Sequence, residues 1–386
     1  MKQGWTYKKL GDICEVTDFV ANGSFATLKQ NVTYYDEPNF AILVRLADYS
    51  SNFDSSKFVY VDEHAYNFLA KSKLYGGEVI MSNVGSIGKC FLCPILDKPM
   101  TIGPNSLLIR TPNNRFYLYY FRSETFIKDL HSITSSATLS KFNKTQLKTL
   151  SVPVPSDTEQ ERIVERLNAA FAQIDELKSN AEKQLAEARA LFQSALTQAM
   201  QPKPGWQEKK FGDVCFYHKE QAIHRNSKFI GMEHIESGTG VLLGYQNSNE
   251  IESASFSFTK GDVLYGRLRP YLRKVIIAEF DGCCSTEIFP IRSNNVEPEF
   301  IKYWFLSDYI TNKINATSAG CRMPRGNMNE VKHFPFAFPK EKSEQKRVAN
   351  NIDLLSNHII ELEEICRKTA AECDAMKQAL LRQIFE

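Results

Sequence analysis

The sequence contains no long hydrophobic run and none of the familiar catalytic motifs. Among its 386 residues no stretch of 18 or more apolar residues occurs, so no transmembrane helix is expected. The first residues lack the apolar core of a secretory signal peptide. A G-x-S-x-G elbow, an H-E-x-x-H pair, a dinucleotide fingerprint and the Asn/Asp-Pro-Pro-Tyr/Phe motif of amino-methylating DNA methyltransferases are all missing. These absences favour a soluble, cytoplasmic protein that binds rather than catalyses.

The sequence also offers little support for a metal or phosphate site. Its nine cysteines are an odd number without framework spacing, which fits a reducing cytosol. Cys90 and Cys93 form a lone CxxC without a second pair or nearby histidines, so we expect reduced, partly buried thiols rather than zinc. Residues 83–90 resemble a phosphate loop, but Asn83 replaces its first glycine and Cys90 its magnesium-binding hydroxyl. We predict no catalytic residue, no metal ligand and no cofactor bound by this chain.

Charge is unevenly distributed along the chain. The formal net charge is only +2, yet residues 1–157 and 202–342 each carry +3, while residues 158–201 and 343–386 each carry −2. Basic globular segments joined by acidic helical segments are compatible with nucleic-acid binding. Many soluble proteins share this balance, so charge alone does not identify the function.

The most informative feature is a long internal repeat. Gly4–Cys14 reads GWTYKKLGDIC, and Gly205–Cys215 reads GWQEKKFGDVC. A second pair of matching segments follows Pro155 and Pro339, where Glu-Gln-x-Arg precedes an apolar residue in both copies. This period is too long for a solenoid, whose repeats span 20–50 residues. It predicts a duplicated domain-plus-helix unit with two similar working faces.

Two long amphipathic helices are predicted at residues 158–201 and 343–386. A proline precedes each segment, and an early glutamate places negative charge where the helix dipole favours it. Apolar residues recur at alternating spacings of four and three, which is typical of a coiled coil, and each helix would span about 60 Å. Matched small residues favour packing of the two helices against each other, although two unrelated helices packing on their own domains is the alternative. The predicted seam is Ile163, Leu167, Ala170, Ile174, Leu177, Ala181, Gln184, Ala188, Leu191, Ala195 and Gln198, with Val348, Ile352, Leu355, Ile359, Leu362, Cys366, Thr369, Cys373, Met376, Leu380 and Gln383.

The remaining segments predict two α+β domains. Short β-branched or aromatic runs bounded by turn residues read as strands, and residues 116–130 and 299–314 read as one helix in each segment. The predicted strands begin at Phe40, Glu78, Ser106, Asp262, Lys274 and Ile288. The predicted domains are therefore residues 1–157 and 202–342, with the helical spacers at 158–201 and 343–386.

The 267–274 loop is the first candidate for DNA contact. It holds four cations within eight positions, interleaved with tyrosine. Arginine can form bidentate bonds to guanine, and lysine or arginine can neutralise phosphates. The candidate residues are Arg267, Arg269, Tyr271, Arg273 and Lys274. A solvated hairpin without DNA contacts is the alternative.

Three further segments supply the other candidates. Residues 81–89 align with the arginine-rich loop but are small and polar, with one cation. The segments 138–143 and 322–327 also align, although an asparagine that caps the following turn would explain their shared amide as well. The candidates are Ser82, Asn83, Ser86, Lys89, Lys141, Asn143, Arg322, Arg325 and Asn327. If both copies contact DNA, they should prefer different base sequences.

Three paired features together resemble a known family. They are the Gly-Trp…Leu/Phe-Gly-Asp starts, the Pro…Glu-Gln-x-Arg-Ile/Val helix entries and the two helical regions, and they cover nearly the whole chain. Residues 229–235 and 261–287 are also similar to recurrent segments of that family. The chain resembles the specificity (S) subunit of type I restriction–modification systems. The resemblance implies two target-recognition domains, similar in fold to that of TaqI-type adenine methyltransferases, at opposite ends of an antiparallel pair of coiled-coil helices.

The resemblance also implies a function. Each domain would read one half of a bipartite, asymmetric DNA target, and the helices would set the gap, since half-site spacing follows protein geometry. The subunit would be non-catalytic and would recruit two methyltransferase subunits and restriction subunits. S-adenosylmethionine, ATP and Mg²⁺ are expected on those partners. The first copy departs from the family pattern at residues 81–89, where the basic Leu-Arg-Lys run is missing.

Two other functions stay open on the residues alone. One is a stand-alone DNA methyltransferase or nuclease with duplicated lobes, which the missing methyltransferase motifs disfavour. The other is a coiled-coil interaction protein without a DNA function. Salt-dependent binding to duplex DNA would separate the second alternative from the recognition function.

Overall fold

The chain folds into two compact units. The computed structural model describes residues 4–134, 141–222, 226–318 and 322–386. Unit 1 comprises Met1–Lys178 with Ala370–Glu386, and unit 2 comprises Ser179–Thr369. Both units contain one globular domain and part of each of two long helices, Asp157–Met200 and Lys342–Phe385. The division therefore falls inside the helices, and the domain boundaries inferred from the sequence stay predictions.

The globular domain of unit 1 contains two four-stranded sheets and a two-stranded ribbon. The strands, in their order across each sheet, are Glu15–Asp18, Ser106–Arg110, Val79–Ser82 and Cys90–Leu92 in the first, and Tyr60–Val61, Ala41–Val44, Met100–Ile102 and Lys73–Leu74 in the second. The first sheet is antiparallel, and the second has one parallel pair at its centre. The ribbon pairs Thr6–Lys9 with Ser151–Val154.

The globular domain of unit 2 repeats this arrangement strand for strand. Its two sheets have the orders Phe216–Tyr217, Ile288–Arg292, Val263–Gly266 and Val275–Ile277, and Gln246–Asn247, Lys228–Ile230, Gly282–Ser285 and Ser255–Phe258. The parallel pair again lies at the centre of the second sheet. The ribbon pairs Trp206–Lys210 with Pro335–Pro339. The predicted α+β class and the duplication are confirmed.

Shorter helices cover the sheets in both domains. They are Leu10–Ile13, Phe25–Asn31, Leu46–Ser50, Glu63–Phe68, Asn114–Phe121, Glu124–Ser132 and Lys144–Lys148 in unit 1, and Phe211–Val214, Pro298–Leu306, Asp308–Ala316 and Met328–Val331 in unit 2. The single helix predicted at residues 116–130, and its counterpart at 299–314, are each two helices. The break falls at Ser123 and Ser307, both of which have extended backbone dihedrals. The Ser123 hydroxyl accepts a hydrogen bond from the Phe126 amide and so begins the second helix of its pair.

The repeated Leu/Phe-Gly-Asp motif has a packing role. Leu10 and Phe211 are fully buried at matching positions in the two domain cores. The glycine that follows each of them lies against a lysine backbone, so that an added Cβ would come within 2.9 Å of the Cβ of Lys148 or Lys332. Such a distance leaves no room for a side chain. The Leu/Phe and Gly residues of the repeated motif therefore pack against the core of each domain.

The repeated Glu-Gln-x-Arg motif fixes the start of each long helix. Gln160 and Gln345 are buried, and their side-chain amides donate to the carbonyl oxygens of Pro155 (3.0 Å) and Pro339 (2.8 Å). The glutamate and the arginine of each motif form an ion pair three residues apart on the exposed side. The motif thus joins the helix to the ribbon strand before it in both copies.

The predicted coiled-coil seam is buried or half-buried at fourteen of its 22 positions and exposed at the other eight. Leu177, Leu191 and Leu362 are exposed, as are the predicted seam residues Gln184, Gln198, Leu355, Met376 and Gln383. For each of these eight residues, the next residue in the sequence is buried or half-buried instead. That row comprises Leu167, Phe171, Ile174, Lys178, Ala181, Leu185, Ala188 and Phe192 on one helix, and Ile352, Ser356, Ile359, Glu363, Cys366, Ala370, Cys373 and Lys377 on the other.

The buried side of each long helix is thus rotated relative to the predicted seam, and contacts with the globular domains explain this rotation. The Phe171 ring packs edge-on against Tyr119 at 5.2 Å, and Phe192 belongs to the core of unit 2. Because successive side chains are about 100° apart on a helix, burying Phe192 leaves the preceding Leu191 exposed. Charged residues then occupy part of the buried row. Lys377, for example, lies 5.2 Å from the centre of the Phe171 ring and pairs with Asp175.

Ion pairs join the two long helices within each unit. In unit 1, Lys178 pairs with Asp374 at 3.3 Å and Asp175 pairs with Lys377, so the residue numbers run in opposite directions. In unit 2, the Arg189 Nε atom donates to Glu363 at 2.8 Å. The helices are therefore antiparallel, as predicted. Among the described residues, no helix has both the length and the apolar character needed to cross a bilayer.

Candidate nucleic-acid interface

The arginine-rich loop of unit 2 lies against the segment that precedes the second long helix. Leu268 and Arg325 form an antiparallel bridge. The Gly326 amide donates to the Arg267 carbonyl at 2.9 Å, and the Arg269 amide donates to the Pro324 carbonyl at 2.7 Å. The structure thus brings the two predicted segments, 267–274 and 322–327, together. We call them the second patch.

Unit 1 contains the same arrangement of backbone. Val84 and Lys141 form the matching antiparallel bridge. The Phe142 amide donates to the Asn83 carbonyl at 3.3 Å, as Gly326 does to Arg267 in the other domain. Residues 138–140 of the predicted segment lie outside the described residues. Residues 82–89 with 141–143 form the first patch. It shares the bridge with the second patch but has a loop one residue shorter, because the Ser82 amide donates to the Lys89 carbonyl where the Gly266 amide donates to the Lys274 carbonyl, and its side chains differ.

Glu287 organises the charges of the second patch. Its two carboxylate oxygens accept from the Nε atoms of Arg267 (2.9 Å) and Arg325 (2.7 Å), one from each segment. Burial tends to raise the pKa of Glu287, but the hydrogen bonds from the two arginines outweigh it, and its pKa is lowered. These contacts are therefore complete above the ordinary glutamate pKa and are lost only as the pH falls through the lowered value.

The other cations of the 267–274 loop have different surroundings. Arg273 pairs with Asp308 at 2.7 Å, and the Lys274 ammonium donates to the Met232 carbonyl at 2.6 Å. Arg269 and Arg273 both have left-handed backbone conformations (φ 52° and 49°), which are strained for residues with a side chain. Tyr271 lies between them and is about half exposed. The loop is therefore a tightly shaped turn rather than a loose hairpin.

The two candidate asparagines act as helix caps. The Asn143 side chain accepts from the Gln146 amide at 2.9 Å, and the Asn143 amide donates to the Gln146 side chain at 2.9 Å. The Asn327 side chain accepts from the Asn329 amide at 3.1 Å. Their shared amide is thus explained by the turn that follows. Arg322, at the start of the same segment as Asn327, is exposed.

The first patch is less charged. The Ser82 hydroxyl donates to the Val84 carbonyl at 3.1 Å, and the Asn83 amide nitrogen donates to the Phe142 carbonyl at 3.0 Å. The Lys89 ammonium lies 3.3 Å from the Ser50 hydroxyl. Ser86 and Lys141 are exposed. Ser82 is buried, so this surface presents Ser86, Lys89 and Lys141 in place of the arginines of the second patch.

Two lysines beside the second patch were not predicted from the sequence. The Lys219 ammonium lies 4.3 Å from the centre of the Phe289 ring, and the Arg267 guanidinium lies 5.5 Å from the same ring. Burial lowers the pKa of Lys219, and the neighbouring charges of Lys332 and Arg267 lower it further. Lysines at positions 219 and 332 lie far from each other in the sequence, so no local pattern marked them.

A different charge arrangement occurs at the matching place in unit 1. Asp18, which aligns with Lys219, pairs with Lys144 at 2.9 Å. The second domain therefore gathers positive charge where the first neutralises it. Such a difference is what two surfaces that bind different DNA sequences would require.

The CxxC cysteines are buried in the first domain. Burial raises the pKa of the Cys90 thiol to about 11 and that of Cys93 to about 12, so both are protonated thiols at neutral pH. The expectation of buried thiols is confirmed. In the described ranges, no three His, Cys, Asp or Glu side chains are grouped as metal ligands would be.

The duplicated sheets, the repeated two-segment patch and the antiparallel helices define a protein with two recognition-type α+β domains. The chain belongs to the family of type I restriction modification DNA specificity domains, whose model matches residues 2–187 and 203–372. The match occurs twice, once over each copy of the repeat. It confirms the resemblance recognised in the sequence.

Individual relatives agree with this assignment. The chain is 25% identical over 298 residues to the type I restriction enzyme EcoDI specificity subunit of Escherichia coli, covering 67% of each chain. It is 20% identical over 429 residues to the StySPI specificity subunit of Salmonella potsdam, covering 100% of this chain and 89% of that one. A solved chain from a study of "complex assembly and conformational transition of the type I R-M system" shares the fold, with a TM-score of 0.73 at 16% identity. The match covers 100% of this chain and 98% of the solved one.

Proposed function

We propose that this chain is the DNA-recognition subunit of a type I restriction–modification complex, in which each domain reads one half of a bipartite, asymmetric target. One observation carries the proposal. The same backbone bridge occurs in both domains, between Val84 and Lys141 and between Leu268 and Arg325, yet the side chains around it differ. A shared scaffold with different side chains supports two half-sites of different sequence.

The first test removes one arginine of the second patch. Replacing Arg267 or Arg269 with alanine should relax base selection in one half-site only, at a cost of roughly 1–3 kcal/mol for each lost base contact. Selection from DNA randomised at both half-sites, using the chain assembled with its partner subunits, would measure this. The Lys141→Ala variant, at the position equivalent to Arg325, is the matched control and should affect the other half-site. Equal weakening of both half-sites would contradict the proposed division of the target.

The proposal assigns no chemistry to this chain. S-adenosylmethionine would be bound by two methyltransferase subunits, and ATP with Mg²⁺ by restriction subunits. The buried thiols of the first domain support a structural role, because their raised pKa values disfavour a nucleophilic thiolate. The purified chain alone, given S-adenosylmethionine and target DNA, should transfer no methyl group. Methyl transfer by the isolated chain would favour the enzyme alternative.

The outer face of the second long helix supports a partner-binding role. In unit 2 it exposes Leu354 (62%) and Ile365 (58%), and between them Leu355 and Leu362. Leu354 and Ile365 are eleven residues apart, so they lie on the same side after three turns. Exposed apolar stripes of this kind mark protein interfaces. We assign this stripe to a methyltransferase subunit.

A charge introduced on this stripe should prevent assembly. The Leu354→Glu, Ile365→Glu double variant is expected to lose co-purification with the methyltransferase subunit, because two carboxylates would be buried without partners. Both positions are exposed, so the free energy of unfolding of the chain should change by only about 0.5 kcal/mol. Ala371→Glu, at an exposed position at least 100° around the same helix from each residue of the stripe, is the control. Normal assembly of the double variant would place the partner elsewhere.

A further inference from the structure

Glu287 occupies the junction of the two segments that form the second patch. Its carboxylate binds Arg267 with one oxygen and Arg325 with the other, at 2.9 Å and 2.7 Å. Its main-chain carbonyl accepts from the Arg267 amide at 2.9 Å. The side chain is about one-fifth exposed, so solvent competes with these contacts only partly. Glu287 therefore holds both arginines next to the start of strand Ile288–Arg292.

Because Glu287 accepts from the Nε atom of each arginine, terminal N–H groups of the guanidinium remain as donors for a ligand. A guanidinium has five N–H donors, and Glu287 engages each arginine through Nε. The Arg325 Nη1 atom also donates to the Met323 carbonyl at 3.3 Å. For Arg267, no hydrogen bond from the terminal nitrogens to another described residue is formed. An arginine held in this way retains the paired terminal donors that guanine O6 and N7 accept in the major groove.

The Phe289 ring supports the same placement. It is buried, and it lies 5.5 Å from the Arg267 guanidinium. The ring limits the positions that Arg267 can take on one side while Glu287 fixes its Nε. An arginine held before binding loses less rotamer freedom when it meets a base than a free one does.

We propose that Glu287 is a positioning residue that sets the base choice of the second half-site by presenting Arg267 and Arg325 as one rigid pair to guanine. This inference rests on the proposed function. It adds a residue that makes no base contact of its own but decides which acceptors the arginines can reach. The two flanking lysines, Lys219 and Lys332, are then assigned to DNA phosphates, which carry no sequence information.

The first patch lacks this arrangement. The Asn83 amide donates to the Asn105 carbonyl at 3.2 Å, as Arg267 does to Glu287, so Asn105 takes the place of the glutamate. An asparagine carries no charge with which to hold two arginines. The positioning role is thus a property of the second domain.

The test is the Glu287→Gln variant in the assembled complex. We expect guanine selection in the second half-site to fall by about 5- to 150-fold, the range of a lost bidentate contact. Binding to non-specific DNA should be kept or strengthened, because the substitution removes a negative charge next to the DNA. Selection at the first half-site should not change. Glu287→Asp, which retains the charge, should recover part of the selection.

Two variants separate this role from damage to the fold. Asp262→Asn breaks a similar ion pair, with Arg292 at 2.6 Å, at the opposite end of strand Val263–Gly266, and it should leave guanine selection intact. The double variant Lys219→Gln, Lys332→Gln should weaken binding to all sequences and lower its salt dependence without altering base choice.

The outcomes are distinguishable. Unchanged guanine selection in Glu287→Gln would overturn the inference, and so would an equal loss of specific and non-specific binding, which would show that Glu287 only maintains the fold. If the wild-type complex itself showed no sequence preference, the proposed function would fail as well. If the wild-type complex shows a sequence preference and Glu287→Gln keeps it, the role of Glu287 is contradicted while the proposed function still stands.

Discussion

Replacing Phe211 with alanine should destabilise the second unit by about 3–5 kcal/mol, the range for a large side chain removed from a core. Phe211 is fully buried and stacks on Trp304, with ring centres 4.7 Å apart and planes at 3°. It also meets Phe305 and Phe336 edge-on at 5.4 Å and 5.5 Å. Alanine would leave a cavity among these three aromatic rings, and the cavity cannot collapse without shifting the sheet and the helix against which they pack.

Hydrogen exchange and denaturant unfolding would measure this effect. Peptides from unit 2 should lose protection, and the second half-site should no longer be selected from randomised DNA. Phe216→Ala, at a half-exposed phenylalanine of the same domain, is the matched control and should cost about 0.5 kcal/mol or less. Equal effects of the two substitutions would show that the aromatic stack does not stabilise the domain.

The repeated motifs made much of this fold predictable. Leu10 and Phe211 follow identical Lys-Lys pairs, and both are core residues at the same place in two duplicated domains. A duplication can be recognised in a sequence because residues that the fold requires recur at equivalent positions in both copies. The long helices were predictable for a related reason, since their apolar rows recur over more than ten turns with few interruptions.

The rotation of the helices was not predictable from periodicity. Leu191 and Phe192 are both apolar, and either could face the seam as far as spacing is concerned. The globular domain decides, because Phe192 completes the core of unit 2 whereas Leu191 is 72% exposed. Tertiary contacts select one of two overlapping heptads, and such contacts have no local signature.

The interface shows the same limit. The alignment of Lys141 with Arg325 indicated that the two segments correspond, and the backbone bridges place them at equivalent positions. Glu287 could not be found in this way, because it lies 20 residues from Arg267 and 38 from Arg325. Residues that contact each other across a sheet have no fixed separation in the sequence, so no sequence motif identifies them. The contribution of each candidate to base contact stays a prediction.

Removing seven residues from each long helix should change the gap between the half-sites and leave their sequences unchanged. A heptad is two turns of a coiled coil, so the buried row resumes its phase after the deletion. Deleting residues 180–186 and 366–372 keeps the Lys178–Asp374 pair of unit 1 and the Arg189–Glu363 pair of unit 2. Each patch lies outside the deleted segments, so its base contacts should not alter.

The measurement is selection from DNA in which the half-sites are fixed and their spacing is varied. Under the proposed function, the wild-type spacing should be rejected by the variant and a different one accepted, because helix length would set the register of the two domains on DNA. A variant of unchanged length, with alanine at the exposed positions 182 and 183, is the control and should keep the original gap. Selection of altered half-site sequences would contradict the role of the helices as a ruler. Retention of the wild-type gap would show that the DNA spacing is set by something other than helix length.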